Sequence, residues 1–278
     1  MSSAKRDPSR PSFSYHAQSI GLAASLTKPS CEIIPGQAAT SLSQTGGESY
    51  SSVKDFNWKG LITFDEASSY VTGSYEEMPK RTAADPIADD EEELSQEEKD
   101  AMANYDDVRI YNTLTTSTIR NLNIANMVQA DFVVARITST HRRGELEGKI
   151  TFTGSMIRNL TIAGETVNVV LDPTPFSQFP KFDKFVENCT GRKAAANAQV
   201  GKDTATASLV SGEVSCRSGE TTDGYVIRIK DFGTIYIAQV LMKRGYRSLN
   251  MLRFELGCPI GGTLAAAGGG TNGGDYFP

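Results

Sequence analysis

The stretch STIRNLNIA at residues 117–125 recurs 38 residues later as SMIRNLTIA at residues 155–163, with seven of the nine positions identical. Both copies space their apolar residues in the same way, at Ile119, Leu122 and Ile124 in the first and at Ile157, Leu160 and Ile162 in the second. A regular strand turns every second side chain to the same face. This spacing breaks that alternation, so it predicts an extra residue or a bend between the first two apolar positions of each copy.

An asparagine occupies the break in both copies, at Asn121 and Asn159. Asparagine tolerates left-handed backbone angles and readily bonds neighbouring backbone groups. We therefore expect one bulged strand used twice. Both asparagines should lie at backbone irregularities, with their side chains bonded to local backbone groups.

The rest of the chain favours a mainly β fold. Short β-branched and aromatic runs alternate with turn signals. Asp223-Gly224 is typical of a type I′ hairpin, because both central residues of that turn need positive φ. The segment 243–247, KRGYR, predicts a further hairpin tip. This pattern predicts an antiparallel sandwich or barrel-like domain. The alternative is a parallel β-helix, in which a phrase recurs because successive coils stack identical residues.

Composition divides the chain into four parts. Residues 1–11 are polar with two prolines and predict a flexible arm, and residues 12–258 predict a single β domain. An acidic insertion at 84–107 interrupts that domain and carries the signals of one short helix. Eleven acids and one base lie between residues 85 and 107, which predicts a solvated segment outside the core.

The fourth part is a Gly-rich C-terminal tail at 259–278. Seven of the fourteen residues from Gly261 to Gly274 are glycine, and such a segment buries too little apolar surface to offset its ordering entropy. Two aromatics, Tyr276 and Phe277, lie near its end. We expect a flexible tether, with these two residues as a possible assembly contact on another subunit.

Motifs of common chemistries are missing from the sequence. There is no G-x-S-x-G elbow, P-loop or dinucleotide fingerprint, and the two histidines, His16 and His141, are far apart. We expect both to be surface or edge-strand residues. Carboxylates on neighbouring strands are a weaker candidate for a glycosidase pair; they are Asp55, Asp65, Glu66 and Asp131. We expect no catalytic residue and no cofactor.

The four cysteines, Cys31, Cys189, Cys216 and Cys258, include no C-x-x-C pair, so we expect no zinc site. They permit either two disulfides, in any of three pairings, or free thiols. The formal net charge of −5 and the lack of interleaved basic and aromatic residues predict no nucleic-acid partner. No apolar run is long enough for a membrane span, and the N-terminus does not have the pattern of a secretory signal.

Three segments resemble the bacterial choice-of-anchor P family: STIRNLNIANMVQADFVVARITST, ITFTGSMIRNLTIAGETVNVVLDPTPF and GYVIRIKDFGTIYIAQVLMKRG. The resemblance covers about residues 110–172 and 205–258. It implies a mostly β domain, usually on or outside a bacterial cell, with no established activity. The missing export signal and anchor, and the acidic insertion, depart from what the family implies.

The leading functional hypothesis is a non-enzymatic structural or adhesive β-protein, expected as a subunit of a surface or extracellular assembly and therefore as a homo-oligomer or a partner of other subunits. One alternative is a carbohydrate-active β-protein, either a binder or a hydrolase. A groove lined by Trp58, tyrosines and paired carboxylates would favour it. The other alternative is a soluble cytoplasmic binding module.

Overall fold

The computed structural model describes residues 12–78, 108–142, 145, 147–190 and 197–277. The predicted arm at 1–11 and the acidic insertion at 84–107, with its helix, lie outside these residues. In chain order the first nine strands are β1 Ser12–Lys28, β2 Glu32–Gln37, β3 Thr40–Ser41, β4 Gly47–Trp58, β5 Ile62–Met78, β6 Val108–Ile124, β7 Val128–Arg142, β8 Lys149–Thr151 and β9 Met156–Arg158. The others are β10 Leu160–Ile162, β11 Glu165–Val167, β12 Gln199–Val200, β13 Ala205–Ser208, β14 Glu220–Thr222, β15 Val226–Ile229, β16 Gly233–Lys243, β17 Tyr246–Leu256 and β18 Gly261–Phe277.

These strands form two sheets that pack face to face. The ten-stranded sheet has the order β12-β13-β16-β17-β18-β1-β2, with β3, β14 and β15 at its margins. The eight-stranded sheet has the order β11-β10-β7-β6-β5-β4, with β8 and β9 on β7. The predicted mainly β fold is confirmed as an antiparallel two-sheet sandwich. Because every ladder between described strands is antiparallel, the parallel β-helix alternative is wrong.

Two short helices join the sheets, α1 at Thr174–Gln178 and α2 at Phe182–Thr190. Phe176 of α1 and Phe185 of α2 stack on each other, with ring centroids 5.1 Å apart, and both are buried in the core. None of the described helices is long and apolar enough to cross a membrane.

The two copies of the repeated sequence lie on either side of the same strand, β7. The first copy lies in β6 and the second in β9 and β10, and β7 pairs with both of them. Phe132 on β7 therefore has Arg120 on one side and Arg158 on the other, with guanidinium carbons 5.5 and 6.0 Å from the ring centroid. Each copy then turns through two consecutive residues of positive φ, Ala125–Asn126 or Ala163–Gly164.

A third, diverged copy of this unit escaped the sequence search. In the β4–β5 hairpin, Asp55 has a φ of +52° and the turn passes through Lys59–Gly60, both also at positive φ. The spacing from the left-handed residue to the turn is four residues, as from Asn121 to Ala125 and from Asn159 to Ala163. The hairpin unit is therefore used three times across the eight-stranded sheet.

The left-handed residues Asp55, Asn121 and Asn159 lie in one row that crosses the eight-stranded sheet. From edge to edge the register places Asp55, Asp65, Asn121, Asp131 and Asn159 opposite one another, all exposed. On β6 the alternation of inward and outward side chains breaks at this row, because Arg120 and Asn121 are both exposed between buried Ile119 and Leu122. The alternation of inward and outward side chains also breaks at this level on the neighbouring strands, so the pairing register continues across the row without a shift.

A second row crosses the ten-stranded sheet and faces inward. It contains Ala238, Met251, Ala267, Gly21 and Ala38, with positive φ at its three alanines. A Cβ added at Gly21 would lie 2.9 Å from the Cβ of Ala67 in the opposite sheet. The sheets approach closely along this row, which explains why four of its five side chains are small.

The prediction of a flexible Gly-rich tail is wrong. Residues 261–277 form β18, an interior strand that pairs with β1 on one side and β17 on the other. Leu264, Ala266 and Ala267 are buried in the core. Glycine is required here by close approach, because a Cβ at Gly269 would lie 2.7 Å from Thr115 and one at Gly273 would lie 2.4 Å from the Ser139 hydroxyl. The glycines therefore reflect tight packing of the two sheets.

Two further expectations need correction. His141 is not a surface residue: it is 3% exposed at the end of β7, and its Nε2 lies 2.7 Å from the Glu145 carbonyl oxygen. Three of the four cysteines are free thiols, Cys31, Cys216 and Cys258. The arrangement with two disulfides is therefore wrong.

Candidate functional site

A surface cavity lies on the outer face of the ten-stranded sheet, along β18. Its larger part encloses about 530 Å³ between β17 and the β1–β3 side, and a second part of about 360 Å³ continues toward His16 and Asn272. Tyr246, Gln18 and Ser41 line both parts. We call the two parts together the β18 groove.

Missing side chains on β18 create this groove. Gly268 pairs with Asn250 and Ile20, and Gly270 pairs with Ser248 and Gln18. A Cβ at Gly268 would lie 2.6 Å from the Asn250 amide oxygen, and one at Gly270 would lie 2.5 Å from the Tyr246 hydroxyl. The side chains of Asn250 and Tyr246 therefore reach over the glycine strand, and β18 itself forms the floor of the groove.

The lining combines polar and apolar side chains and is almost uncharged. Three successive outward residues of β17 contribute a phenol, a hydroxyl and a carboxamide, at Tyr246, Ser248 and Asn250. The opposite wall contributes Gln18 and the hydroxyls of the 40–41 segment. Within the described part of the chain, the side chains of Ser248, Asn250 and Gln18 make no hydrogen bond, so their polar groups are available to a ligand.

A buried ion pair holds the hairpin that carries Tyr246. Arg247 is 2% exposed, and its Nη2 lies 3.1 Å from Glu147 Oε1. The same guanidinium donates to the carbonyl oxygens of Lys243 at 2.6 Å and Tyr246 at 3.1 Å. It also donates to the Pro180 carbonyl at 2.9 Å. The β16–β17 turn is therefore fixed to the segment that precedes α2.

Glu147 completes this anchor. Its carboxylate accepts the backbone N–H of Gly245 at 3.0 Å and the backbone N–H of Phe182, the first residue of α2, at 3.1 Å. Burial lowers the pKa of Arg247, while the adjacent Glu147 carboxylate opposes that shift. Both Nη atoms of Arg247 and both carboxylate oxygens of Glu147 have partners, and such hydrogen bonding is what allows a buried ion pair to be tolerated.

The structure places Asn121 and Asn159 far from this groove, on the outer face of the other sheet. Both have positive φ, +52° and +51°. We expected their side chains to bond local backbone groups, and this expectation is wrong. Instead, Asn121 Nδ2 donates to Asp65 Oδ2 at 2.6 Å and Asn159 Nδ2 donates to Asp131 Oδ2 at 2.7 Å, each across to a neighbouring strand. Two of the four carboxylates considered for hydrolysis, Asp65 and Asp131, therefore take part in cross-strand bonds, and Glu66 pairs with Arg120 at 3.7 Å.

Asp223 and Gly224 lie in the turn between β14 and β15, with φ of +53° and +73°. The turn has three residues between the paired Thr222 and Val226, one more than the predicted two-residue hairpin. Asp223 also accepts a bond from Gln199 at 3.2 Å. These residues border a smaller polar cavity of about 340 Å³ and take no part in the β18 groove.

Tyr276 and Phe277 end β18, where their backbones pair with Phe13 and Ser12. The premise of a free tether that reaches another subunit is therefore wrong. Trp58 also lies outside the groove, where its indole N–H donates to Glu32 at 2.8 Å. Among the described residues, no group of three or more His, Cys, Asp or Glu side chains is placed to hold a metal ion.

The sequence search missed the groove residues. The available signal was the alternation in YRSLN at 246–250, where Tyr246, Ser248 and Asn250 share one face, combined with the glycine triplet at 268–270. Because the glycine-rich segment was predicted to be a flexible tail, no strand was expected beside residues 246–250, and the alternation did not indicate a groove.

A protein-family profile described as "Domain of unknown function (DUF8256)" matches residues 13–82 and 95–199, more than half of the chain. No curated protein and no solved structure matches the chain. The matched segments supply the β1–β3 wall of the groove, whereas β17 and β18 lie beyond them.

Proposed function

The chain belongs to the DUF8256 family, whose description names no activity, and we propose that it is a non-enzymatic adhesive β-protein that holds its ligand in the β18 groove. One observation carries this proposal. The groove combines a rigid glycine-backed floor with unengaged hydroxyl and carboxamide groups, as expected of a preformed ligand site.

The composition of the groove supports binding rather than hydrolysis. A glycosidase commonly needs two carboxyl groups that flank the scissile bond. The described lining includes one histidine, His16, and no carboxylate. The exposed carboxylates Asp65 and Asp131 lie on the other sheet.

Membership of a larger assembly stays a prediction, as does the resemblance to the choice-of-anchor P family. One feature supports assembly: β4 is a twelve-residue edge strand, and Tyr50 on it is 63% exposed. Lys54 and the left-handed Asp55 interrupt this edge, and charges and kinks of this kind oppose strand addition. The groove is therefore the stronger basis for a function.

The test is to block the groove. Ser41 is exposed on β3 and lines both parts, so Ser41→Trp fills the groove without entering the core. Ser52→Trp places the same side chain on the exposed edge strand β4 and serves as the matched control. Both variants would be compared with wild type on arrays of neutral polysaccharides, anionic polysaccharides and peptides.

We expect Ser41→Trp to lose binding of the retained probe and Ser52→Trp to keep it, with both proteins unfolding at wild-type temperature. Equal binding by all three proteins would show that the ligand lies elsewhere and would refute the proposal.

A further inference from the structure

Resting on the proposed function, we infer that the β18 groove takes a linear, uncharged oligosaccharide, and that Tyr246 lies against one of its sugar rings. The first support is the charge of the site. Apart from His16, the groove is lined by side chains that carry no formal charge at neutral pH. The lining residues include no lysine, arginine, aspartate or glutamate, and the carboxylate of Asp275 lies at one end of the groove, where it contacts His16 at 3.6 Å and accepts from Asn272 at 3.1 Å.

The second support is the kind of hydrogen-bonding group. Sugar hydroxyls both donate and accept, and they are matched by groups that do the same. The carboxamides of Gln18 and Asn250 and the hydroxyl of Ser248 are of this kind, and all three are unengaged within the described residues. A ligand with hydroxyls along its length satisfies both walls at once.

The third support argues against an extended peptide. Peptides commonly bind β-proteins by adding a strand to an open sheet edge. The floor of the groove is β18, whose two sides are already paired with β1 and β17. A peptide bound here would find no open strand edge to hydrogen-bond with its backbone N–H and C=O groups.

The fourth support is the position of Tyr246. It lines both parts of the groove, and its hydroxyl lies where a side chain of residue 270 would be. Gly270 therefore leaves room for the tip of the phenol ring over the strand, at the junction of the two parts. Tyrosine offers an apolar face with a polar tip, which suits a sugar ring whose C–H groups form an apolar face and whose hydroxyls project from the ring edge.

The groove also has the length of an oligomer. It follows β18 from Gly269 to Asn272, and four strand residues span about 13 Å. The backbone of Tyr246 is held by the turn that the buried Arg247–Glu147 pair fixes, so this part of the site is preorganised for binding.

The experiment measures the affinity of soluble linear neutral polysaccharides, built of glucose, mannose, galactose or xylose, by affinity electrophoresis. Tyr246→Ala removes the ring, Tyr246→Phe keeps it, and Gly270→Ala pushes it off the sheet. Tyr50→Ala is the matched control, because Tyr50 is exposed on the other sheet. Thermal unfolding establishes that each variant is folded.

For one or more of the neutral polymers we expect wild-type retention and about a tenfold loss of affinity in Tyr246→Ala and Gly270→Ala, corresponding to about 1.4 kcal/mol. Tyr246→Phe and Tyr50→Ala should stay within about threefold of wild type, a change below 1 kcal/mol.

The outcomes separate the two proposals. If peptides or anionic polymers bind with the same dependence on Ser41 and Tyr246, the carbohydrate class is wrong and the groove remains the site. If neutral polymers bind equally to wild type, Tyr246→Ala and Ser41→Trp, both the role of Tyr246 and the groove are refuted.

Discussion

At the scale of single residues, the backbone conformation at one position of the repeated sequence determines which face of the sheet the neighbouring side chains occupy. A left-handed residue at a fixed place in alternate strands changes which face the following side chains occupy. On the solvent face this place is filled by Asp55, Asn121 and Asn159, residue types that tolerate positive φ. On the inward face it is filled by Ala38, Ala238 and Ala267, which accept the strain because larger side chains do not fit between the sheets.

The first prediction concerns Asn121. Asn121→Ala should lower the free energy of unfolding by about 1.5 kcal/mol, since alanine is disfavoured at positive φ and the bond to Asp65 is lost. Asn121→Gly loses the same bond without the backbone penalty, so it should cost about 1 kcal/mol less than alanine. Gln129→Ala, an exposed substitution on β7, is the control. Equal stabilities of the Ala and Gly variants in urea unfolding would contradict the backbone argument.

The second prediction concerns Glu32, whose carboxylate joins the two sheets by accepting bonds from Lys59, Ser30 and Trp58. The Lys59 bond and then those of Ser30 and Trp58 lower the pKa of Glu32 from its ordinary 4.5 to about 2. A depressed folded-state pKa contributes stability above the unfolded pKa and loses it as the pH falls toward the folded value.

Glu32→Gln should therefore be less stable than wild type at pH 7, and the difference should shrink between about pH 4.5 and pH 2. Urea unfolding of both proteins at several pH values measures this. A difference that is constant across the range would show that the ionised carboxylate contributes nothing.

At the scale of elements, the β16–β17 hairpin and α2 act as one unit. Two arginines of the hairpin reach this helix region, but in different environments. Arg247 is buried against Glu147, whereas Arg244 meets Asp183 at 2.9 Å with both side chains largely exposed. The buried pair fixes the turn that carries Tyr246, and the exposed pair is screened by solvent.

The third prediction compares these two arginines. Arg247→Met should lower the free energy of unfolding by about 3 kcal/mol, because it leaves the largely buried Glu147 carboxylate without its counter-charge. Arg244→Met should cost at most about 1 kcal/mol. The double variant Arg247→Met/Glu147→Gln should lose less than the sum of the two single variants. Similar losses for Arg247→Met and Arg244→Met would contradict the role of the buried pair.

The sequence allowed the class of fold and several turns to be predicted, since these depend on local patterns. The parity break at Asn121 marked a left-handed position, and KRGYR at 243–247 marked the β16–β17 turn, where Lys243 pairs with Tyr246. The partners of those residues were not predictable, because Asp65 lies 56 residues from Asn121 along the chain. The groove also depends on contacts between residues that are far apart along the chain, because it forms only when β18 lies between β1 and β17. The sequence alone therefore did not predict it.

At the scale of the whole molecule, the C-terminal segment closes the sandwich. β18 lies beside the first strand of the chain and pairs with it over almost its whole length. Its inward glycines let Thr115 and Ser139 of the other sheet approach, and its outward glycines form the groove floor. A single glycine-rich strand therefore supports both the packing of the two sheets and the proposed site.

The fourth prediction is that this strand is indispensable. A chain ending at Pro259 lacks β18, exposes the edges of β1 and β17 and should lose the cooperative unfolding transition seen by circular dichroism. A chain ending at Asp275 keeps nearly all pairs and should unfold cooperatively. A sharp transition in the shorter chain would show that β18 is not part of the folded core.

The most direct test of the account is to map the ligand on the protein by nuclear magnetic resonance. ¹⁵N-labelled protein would be titrated with a linear neutral oligosaccharide cut from the polysaccharide it retains. We predict that the amide signals of Gly268, Gly270, Ser248 and Asn250 shift with a common saturation curve, while those of Asp65 and Asn121 stay in place. Signals that shift on the outer face of the eight-stranded sheet, with those of the β18 groove unchanged, would contradict the account.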